Sequence, residues 1–329
     1  MGFGPLKRIE IMIRTAEFVS PKHPDKLCDG ISDKILDTCL EQDPESRVAI
    51  ETAGGHGMVH LTGEITTNAK IDYEKIVKEV SGVEVVTTNV VKQSNFIKQG
   101  VDVGGAGDQG IMVGYACNEN DEYVPEEYRL ARSLCRYLYE QFPYDGKTQV
   151  TTRGDRNLFI VTSFQNSETH ELRKQVSEWL KGEPYGLMLL HANAAGDWTQ
   201  GGFDADAGVT GRKLVVDNYG PRVPIGGGAY SGKDPSKVDR SAAYMARHIA
   251  VNELKAKNLT ECWVYLSYAI GEKEPLQATV SNGHDSWAVP SKYSVYPNDI
   301  VEHLDLKRPI YYETSQWGAY GNDFRWDKE

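Results

Sequence analysis

Between Pro24 and Gln42 the apolar residues keep a helical period, and directly afterwards the period falls to two around a glycine-rich turn. Leu27, Ile31, Ile35 and Cys39 stand four residues apart, with Cys28, Leu36 and Leu40 widening the stripe. Pro24 suits a first helical position and Asp25 a first turn. Residues 47–51 and 58–66 then read as strands flanking Gly54-Gly55-His56-Gly57. Comparable mixtures follow: a helix over 126–141, strands at 148–153 and 158–164, a helix over 167–181 and a strand at 187–191. Further on, a long helix over 234–257 precedes strands at 263–270 and 276–280. A short helix over 72–80, a glycine-rich loop over 93–110 and a strand at 213–217 complete the expectation. Hairpins interleaved with helices point to an α+β fold rather than a regular βαβ array.

With 36 Lys and Arg against 47 Asp and Glu in 329 residues, the formal charge is −11. That balance disfavours a general nucleic-acid binder, which needs a cationic surplus to meet phosphates. No run nears the roughly 18 apolar residues of a membrane span. Cys28, Cys39, Cys117, Cys135 and Cys262 are scattered without a CxxC pair, suggesting neither a zinc site nor a disulfide framework. The opening MGFGPLKRIEIMIR lacks an apolar signal core. Together these features lead us to expect a cytoplasmic protein.

Against that acidic background, residues 210–240 hold Arg212, Lys213, Arg222, Lys233, Lys237 and Arg240 but only Asp217, Asp234 and Asp239. Gly226-Gly227-Gly228 and Gly232 lie among them. Cations plus glycines that let backbone amides approach oxygens suit a polyphosphate, though a solvated basic loop has the same composition. Gly227 to Lys233, GGAYSGK, imitates the start of a P-loop, but Asp234 stands where that motif needs a hydroxyl. Pro221 and Pro224 also rule out the buried strand that feeds a true P-loop. A second candidate is His23-Pro24-Asp25-Lys26, where a helix N-terminus attracts phosphate, His23 can donate to an oxygen and Asp25 can hold magnesium. Read alone, it fits equally a helix cap with Asp25, Asp29 and Asp33 as a solvated acidic face. The third, Gly105-Ala106-Gly107-Asp108-Gln109-Gly110, is no dinucleotide fingerprint, and its carboxylate suits an ammonium partner or a backbone turn.

Taken in order, HPDK, GAGDQG and GGGAYSGKDPSKVDRSAAY, with Glu51, GEITT at 63–67 and DGKTQV at 145–150 between them, resemble the S-adenosylmethionine synthetase (methionine adenosyltransferase) family. TGRKLVVDNY at 210–219 and PIYYET at 309–314 extend the likeness over nearly the whole chain, as a shortened member. The resemblance implies three similar sheet-plus-helix domains related by pseudo-threefold symmetry, placed here at 12–100, 101–197 and 198–329. It implies a homodimer with active sites at the interface, a tetramer being left open. ATP and L-methionine would be the substrates, with two magnesium ions and one potassium ion as cofactors. The methionine sulfur would attack C5′ of ATP and expel triphosphate, which is then hydrolysed to phosphate and pyrophosphate. A thioether needs no base, so the load falls on in-line positioning and on charge stabilisation of the leaving group.

By motif position His23, Lys147, Arg212, Lys233 and Lys237 resemble the catalytic residues. His23, Asp145, Lys147, Trp198, Asp206, Arg212, Lys213, Ala229, Lys233 and Lys237 fall at ATP-binding positions, Trp198 as the aromatic stacked on adenine. Glu64, Gln93, Asp108, Asp206 and Lys237 match the methionine side. Asp25 and Asp239 resemble the magnesium ligands and Glu51 the potassium ligand. Two departures stand out. The family's Gln-Ser-Pro-Asp-Ile is Gln93-Ser94-Asn95-Phe96-Ile97 within an abbreviated gating loop, and Asp197 occupies a common arginine position.

Overall fold

A computed structural model of the chain describes residues 12–93, 104–154 and 156–328. Strand β1 (Ile13–Val19) leads into helix α1 (Pro24–Gln42), the pair β2 (Arg47–Gly55) and β3 (Met58–Thr66), helix α2 (Tyr73–Ser81) and β4 (Val85–Val91). The same succession returns as β5 (Gly110–Cys117), α3 (Glu126–Gln141), β6 (Gly146–Arg153), β7 (Asn157–Phe164), α4 (Thr169–Leu180) and β8 (Gly186–Ala192). A third unit runs from β9 (Gly208–Val209) through α5 (Leu214–Asp217) and α6 (Val238–Lys257) to β10 (Glu261–Tyr268), β11 (Gln277–Ser281) and β12 (Ser286–Ala288). Two short helices, α7 (Pro297–His303) and α8 (Tyr311–Thr314), follow.

Each unit contributes three strands to one sheet, and the fourth strand of that sheet opens a different unit. The orders are β9-β2-β3-β4, β1-β6-β7-β8 and β5-β10-β11-β12. This cyclic exchange of opening strands is the pseudo-threefold symmetry of an α+β fold in three domains. Helices α2 and α4 carry the chain back across their sheets, so β4 and β8 run parallel to β3 and β7. In the third unit a tight turn at 282–285 replaces that crossover, and β12 is antiparallel to β11. The symmetry breaks there.

Helices cover one face of each sheet. Val48, Ile50, Val59 and Leu61 are buried beneath α1, whose Ile31, Ile35, Leu36 and Cys39 are fully enclosed. Each such aliphatic side chain contributes about 1.5–3 kcal/mol by leaving water. Alternate residues, including Glu51, His60 and Thr62 on the first sheet and Lys147 and Val161 on the second, face away from the helices and are exposed.

The strand expected at 213–217 is instead helix α5, because Asp217 pairs with the buried Lys26 and the Val216 carbonyl accepts from the Tyr128 hydroxyl. The long helix starts at Val238, since Asp234 to Lys237 form a turn closed from the Lys237 N–H to the Asp234 carbonyl. Of the loop expected over 93–110, residues 94–103 lie outside the described residues, and Gly110 already opens β5. No helix among the described residues is long and apolar enough to cross a membrane.

Candidate active site

Helix α1 turns its carboxylates inward, so the solvated reading of that face fails. Asp25, Asp29, Asp33 and Asp37 recur one turn apart, and all four are buried. Each accepts backbone N–H groups from the third unit. Asp25 takes Val209 at 3.0 Å, Asp29 takes Gly211 at 2.9 Å, Asp33 takes Gly232 at 2.8 Å, and Asp37 takes Tyr311 and Tyr312 at 2.9 and 2.8 Å. Lys26 is enclosed between Asp29 at 3.0 Å and Asp217 at 2.5 Å, and Arg240 grips Asp33 through two nitrogens at 2.8 and 2.7 Å. The cationic, glycine-rich segment is therefore docked onto an acidic ridge. A side chain at Gly208 would meet the Pro24 backbone at 2.2 Å, so only glycine permits this approach to the helix N-terminus.

The same segment touches one edge of β2 twice. Residues 208–210 pair beside Ala53 and Gly54, and the Thr52 N–H donates to the Thr210 hydroxyl at 2.9 Å. The chain then loops away and returns, with Lys233 bridging Ala49 and the Ile50 N–H donating to the Gly232 carbonyl at 3.0 Å. Glu51 lies between these two attachments, exposed on the helix-free face.

At the first attachment His23 caps α1, and its Nδ1 accepts from the Asp25 N–H at 3.2 Å, leaving the ring proton on Nε2 as a free donor. Burial, reinforced by the charges of Lys213 and Lys147, pushes the imidazole down to about 4. Asp25 receives Lys213 at 2.6 Å and Arg212 at 3.1 Å. Although burial opposes ionisation, the Lys213 and Val209 hydrogen bonds hold this carboxyl below its ordinary range. Asp145 accepts from the Gly202 N–H at 3.0 Å, while burial raises its pKa. Asp206 exerts its charge on both Asp145 and His23. Trp198 donates from its indole to Ser163 at 2.9 Å, and Ser163 lies directly across from Lys147 in the β6–β7 register. Ala229 approaches Gly211, next to Arg212.

At the second attachment Lys233 pairs with Asp239, and Lys237 with the buried Asp234. Glu64 stands opposite Ala49 across β2–β3, the residue that bridges Lys233. Asp108 is exposed and closes its own turn by accepting from the Gln109 N–H at 2.8 Å, two residues before Gly110, whose side-chain position would meet Asp239. Gln93 is half-buried, at the edge of the described residues. The predicted residues thus fall into two clusters. Ala53 and Ala49 are four strand residues apart, so the two attachments are separated by about 13 Å within one chain. A cavity of ≈ 690 Å³ beside His248 and His303 shares no residue with either cluster.

The sequence pattern missed the residues that hold these clusters: Asp29, Asp33, Asp234, Arg240 and Ser163. The one available signal was the match between four carboxylates at helical spacing and the excess positive charge of 210–240. Asp197, at the family's common arginine position, accepts from the Thr169 N–H and hydroxyl at 2.9 and 2.6 Å where α4 begins.

Asp25 and Asp239 suit magnesium as single carboxylates, because that ion draws most of its oxygens from phosphate and water. No group of three or more His, Cys, Asp or Glu among the described residues forms an all-protein metal cage. Around Asp239 the space is kept by glycine: a side chain at Gly228 would lie 2.4 Å from its Oδ1.

The N-terminal, central and C-terminal domain models of S-adenosylmethionine synthetase match residues 11–101, 103–183 and 200–328. The chain belongs to the S-adenosylmethionine synthetase family. A curated relative, the S-adenosylmethionine synthase of Brachyspira hyodysenteriae, is 36% identical over 374 aligned residues covering 95% of each chain. That alignment is longer than this chain of 329 residues, which makes it a short S-adenosylmethionine synthetase. Residues 184–199, between the second and third family matches, hold β8 together with Asp197 and Trp198.

Proposed function

We propose that this protein makes S-adenosylmethionine from ATP and L-methionine, the sulfur attacking C5′ as the whole triphosphate leaves and is hydrolysed to phosphate and pyrophosphate. The observation that carries this reading is the first cluster, where the helix N-terminus and the His23 Nε2–H stand within the field of Lys147 and Lys213, and Arg212 and Lys213 gather on Asp25. Such a cluster holds no activated nucleophile. It stabilises a polyanion that departs, which is what attack by an already nucleophilic thioether requires.

In this reading His23 donates to the triphosphate oxygen nearest C5′ and Lys147 assists electrostatically across the open face of β6. Trp198 stacks on adenine and Asp145 orients the nucleotide, while Arg212 and Lys213 turn from Asp25 onto phosphate oxygens. Asp25 and Asp239 hold two magnesium ions, which when bound neutralise phosphate charge, and Glu51 holds potassium between the two attachments. Glu64, Gln93, Asp108 and Asp206 present oxygens to the methionine ammonium. Lys233 and Lys237 clamp the polyphosphate, and Lys237 also serves the methionine side. The separation of the clusters supports a homodimer in which the first cluster of one protomer meets the second of its partner, with the helix-free sheet faces between them.

Incubation with ATP, methionine, Mg²⁺ and K⁺, followed by separation of the products, tests the reaction. S-adenosylmethionine with phosphate and pyrophosphate is expected, and no ADP. ADP as the main nucleotide product would mean that the GGAYSGK loop serves phosphotransfer instead.

A further inference from the structure

We propose that Asp234 is a positioning residue that holds the Lys237 ammonium in register with β2, an inference that rests on the place of Lys237 in the proposed site. Asp234 stands where a P-loop would carry a metal-binding hydroxyl, and the structure gives its carboxylate a different task. The residue is fully buried, and its backbone N–H donates to the Val48 carbonyl at 3.0 Å. One carboxylate oxygen accepts from the Val48 N–H at 2.7 Å and from the Lys237 ammonium, the other from the Ser236 N–H at 2.9 Å. Arg47 lies 3.7 Å away. Main chain and side chain of Asp234 are thus both fixed to one residue of β2, the strand that carries Glu51 and pairs with the strand of Glu64.

Lys237 gains from this what a lysine lacks. Its stem is flexible, and a cation on a flexible stem spends its binding energy on being ordered. Tethered to a buried, immobile carboxylate, the Lys237 ammonium is restricted before any substrate arrives. Lys147 shows the contrast: its partner Glu17, at 3.3 Å, is itself about half exposed. The backbone N–H groups of Val48 and Ser236 would satisfy a purely structural Asp234. The grip on Lys237 is additional, and it can be separated from them.

A double-mutant cycle separates the two. Asp234→Asn keeps the size of the side chain and an acceptor for Val48 but removes the charge. Lys237→Met first identifies which KM, for ATP or methionine, depends on the ammonium. Asp234→Asn should raise that same KM about tenfold, the scale of one hydrogen bond to a charged group. In the Lys237→Met background it should change that KM less than about twofold. An unchanged KM in Asp234→Asn, or equal losses in both backgrounds, overturns the positioning role. Lys237→Met with wild-type kcat and KM for both substrates overturns instead the placement of Lys237 in the site. If the Asn variant does not fold, Asp234→Glu goes through the same cycle, because it keeps the charge and both acceptors but displaces them by one methylene. The same dependence on Lys237 is then expected, and equal losses again overturn the proposal.

Discussion

Lys147 projects from the open face of β6, and its ion pair with Glu17 is exposed enough to contribute only about 0–1 kcal/mol. Lys147→Met should therefore fold and melt like the wild type yet lose about 10²–10³ in kcat, the scale of one stabiliser of transition-state charge. Steady-state kinetics beside a melting curve checks this, and unchanged turnover would remove Lys147 from the mechanism. Gly228 makes a complementary case, because its role is to be absent. A Cβ there would stand 2.4 Å from Asp239 Oδ1 and 2.5 Å from Cγ, so Gly228→Ala must swing the carboxylate away from Lys233. The Mg²⁺ concentration for half-maximal activity should rise about tenfold or more. An unaltered magnesium dependence would take Asp239 out of the metal site. Lys147 and Asp239 could be proposed from the sequence because they stand inside motifs of recognisable spacing. Asp234 and Arg240 could not, because they act through neighbours that only the folded chain supplies.

Helix α1 shows how a face can be read correctly in period and wrongly in environment. The spacing of Asp25, Asp29, Asp33 and Asp37 is plain in the sequence, but their burial depends on segments that arrive 182 to 275 residues later. Asp37 forms no ion pair among the described residues, and burial raises its carboxyl to about 7, against the pull of the Tyr312 and Tyr311 N–H groups and the more distant charge of Arg240. With an unfolded value near 3.9, the native state holds the extra proton between about pH 4 and 7. The stability from this group is full below that window and is lost as the pH rises through it. The melting temperature of the wild type minus that of Asp37→Asn should therefore shrink between pH 5 and 8. A gap constant across that range would mean that Asp37 is ionised in the native protein throughout. The same contrast between local and distant information governs the strands. The hairpin β2–β3 and the helices α1 and α3 are set by neighbours in sequence and were legible. The opening strands β1, β5 and β9 were not, because their partners lie more than a hundred residues away, as Ala16 opposite Val150 and Gly114 opposite Val264 show.

At the scale of the molecule, exchange of opening strands ties the three sheets into one body and leaves each sheet a face without helices. Met58, Val85 and Val161 are exposed apolar side chains on these faces, which is the kind of surface the proposed homodimer would cover. The two site clusters, about 13 Å apart along β2, give the proposed homodimer a specific requirement. If one protomer lends His23 and Lys147 to a site and its partner lends Lys233 and Lys237, two dead variants should repair each other. Lys147→Met and Lys233→Met homodimers would each be inactive, since every site lacks one cation. Refolded together in equal amounts, half of the dimers are mixed. A two-fold axis then puts both substitutions in one site of a mixed dimer and neither in the other. About a quarter of wild-type activity should return, carried by the mixed dimers when these are isolated by two different affinity tags. If both clusters served one site within a single chain, each site of a mixed dimer would still carry one substitution. Activity would then stay at the level of the single variants, and the interfacial site would be excluded.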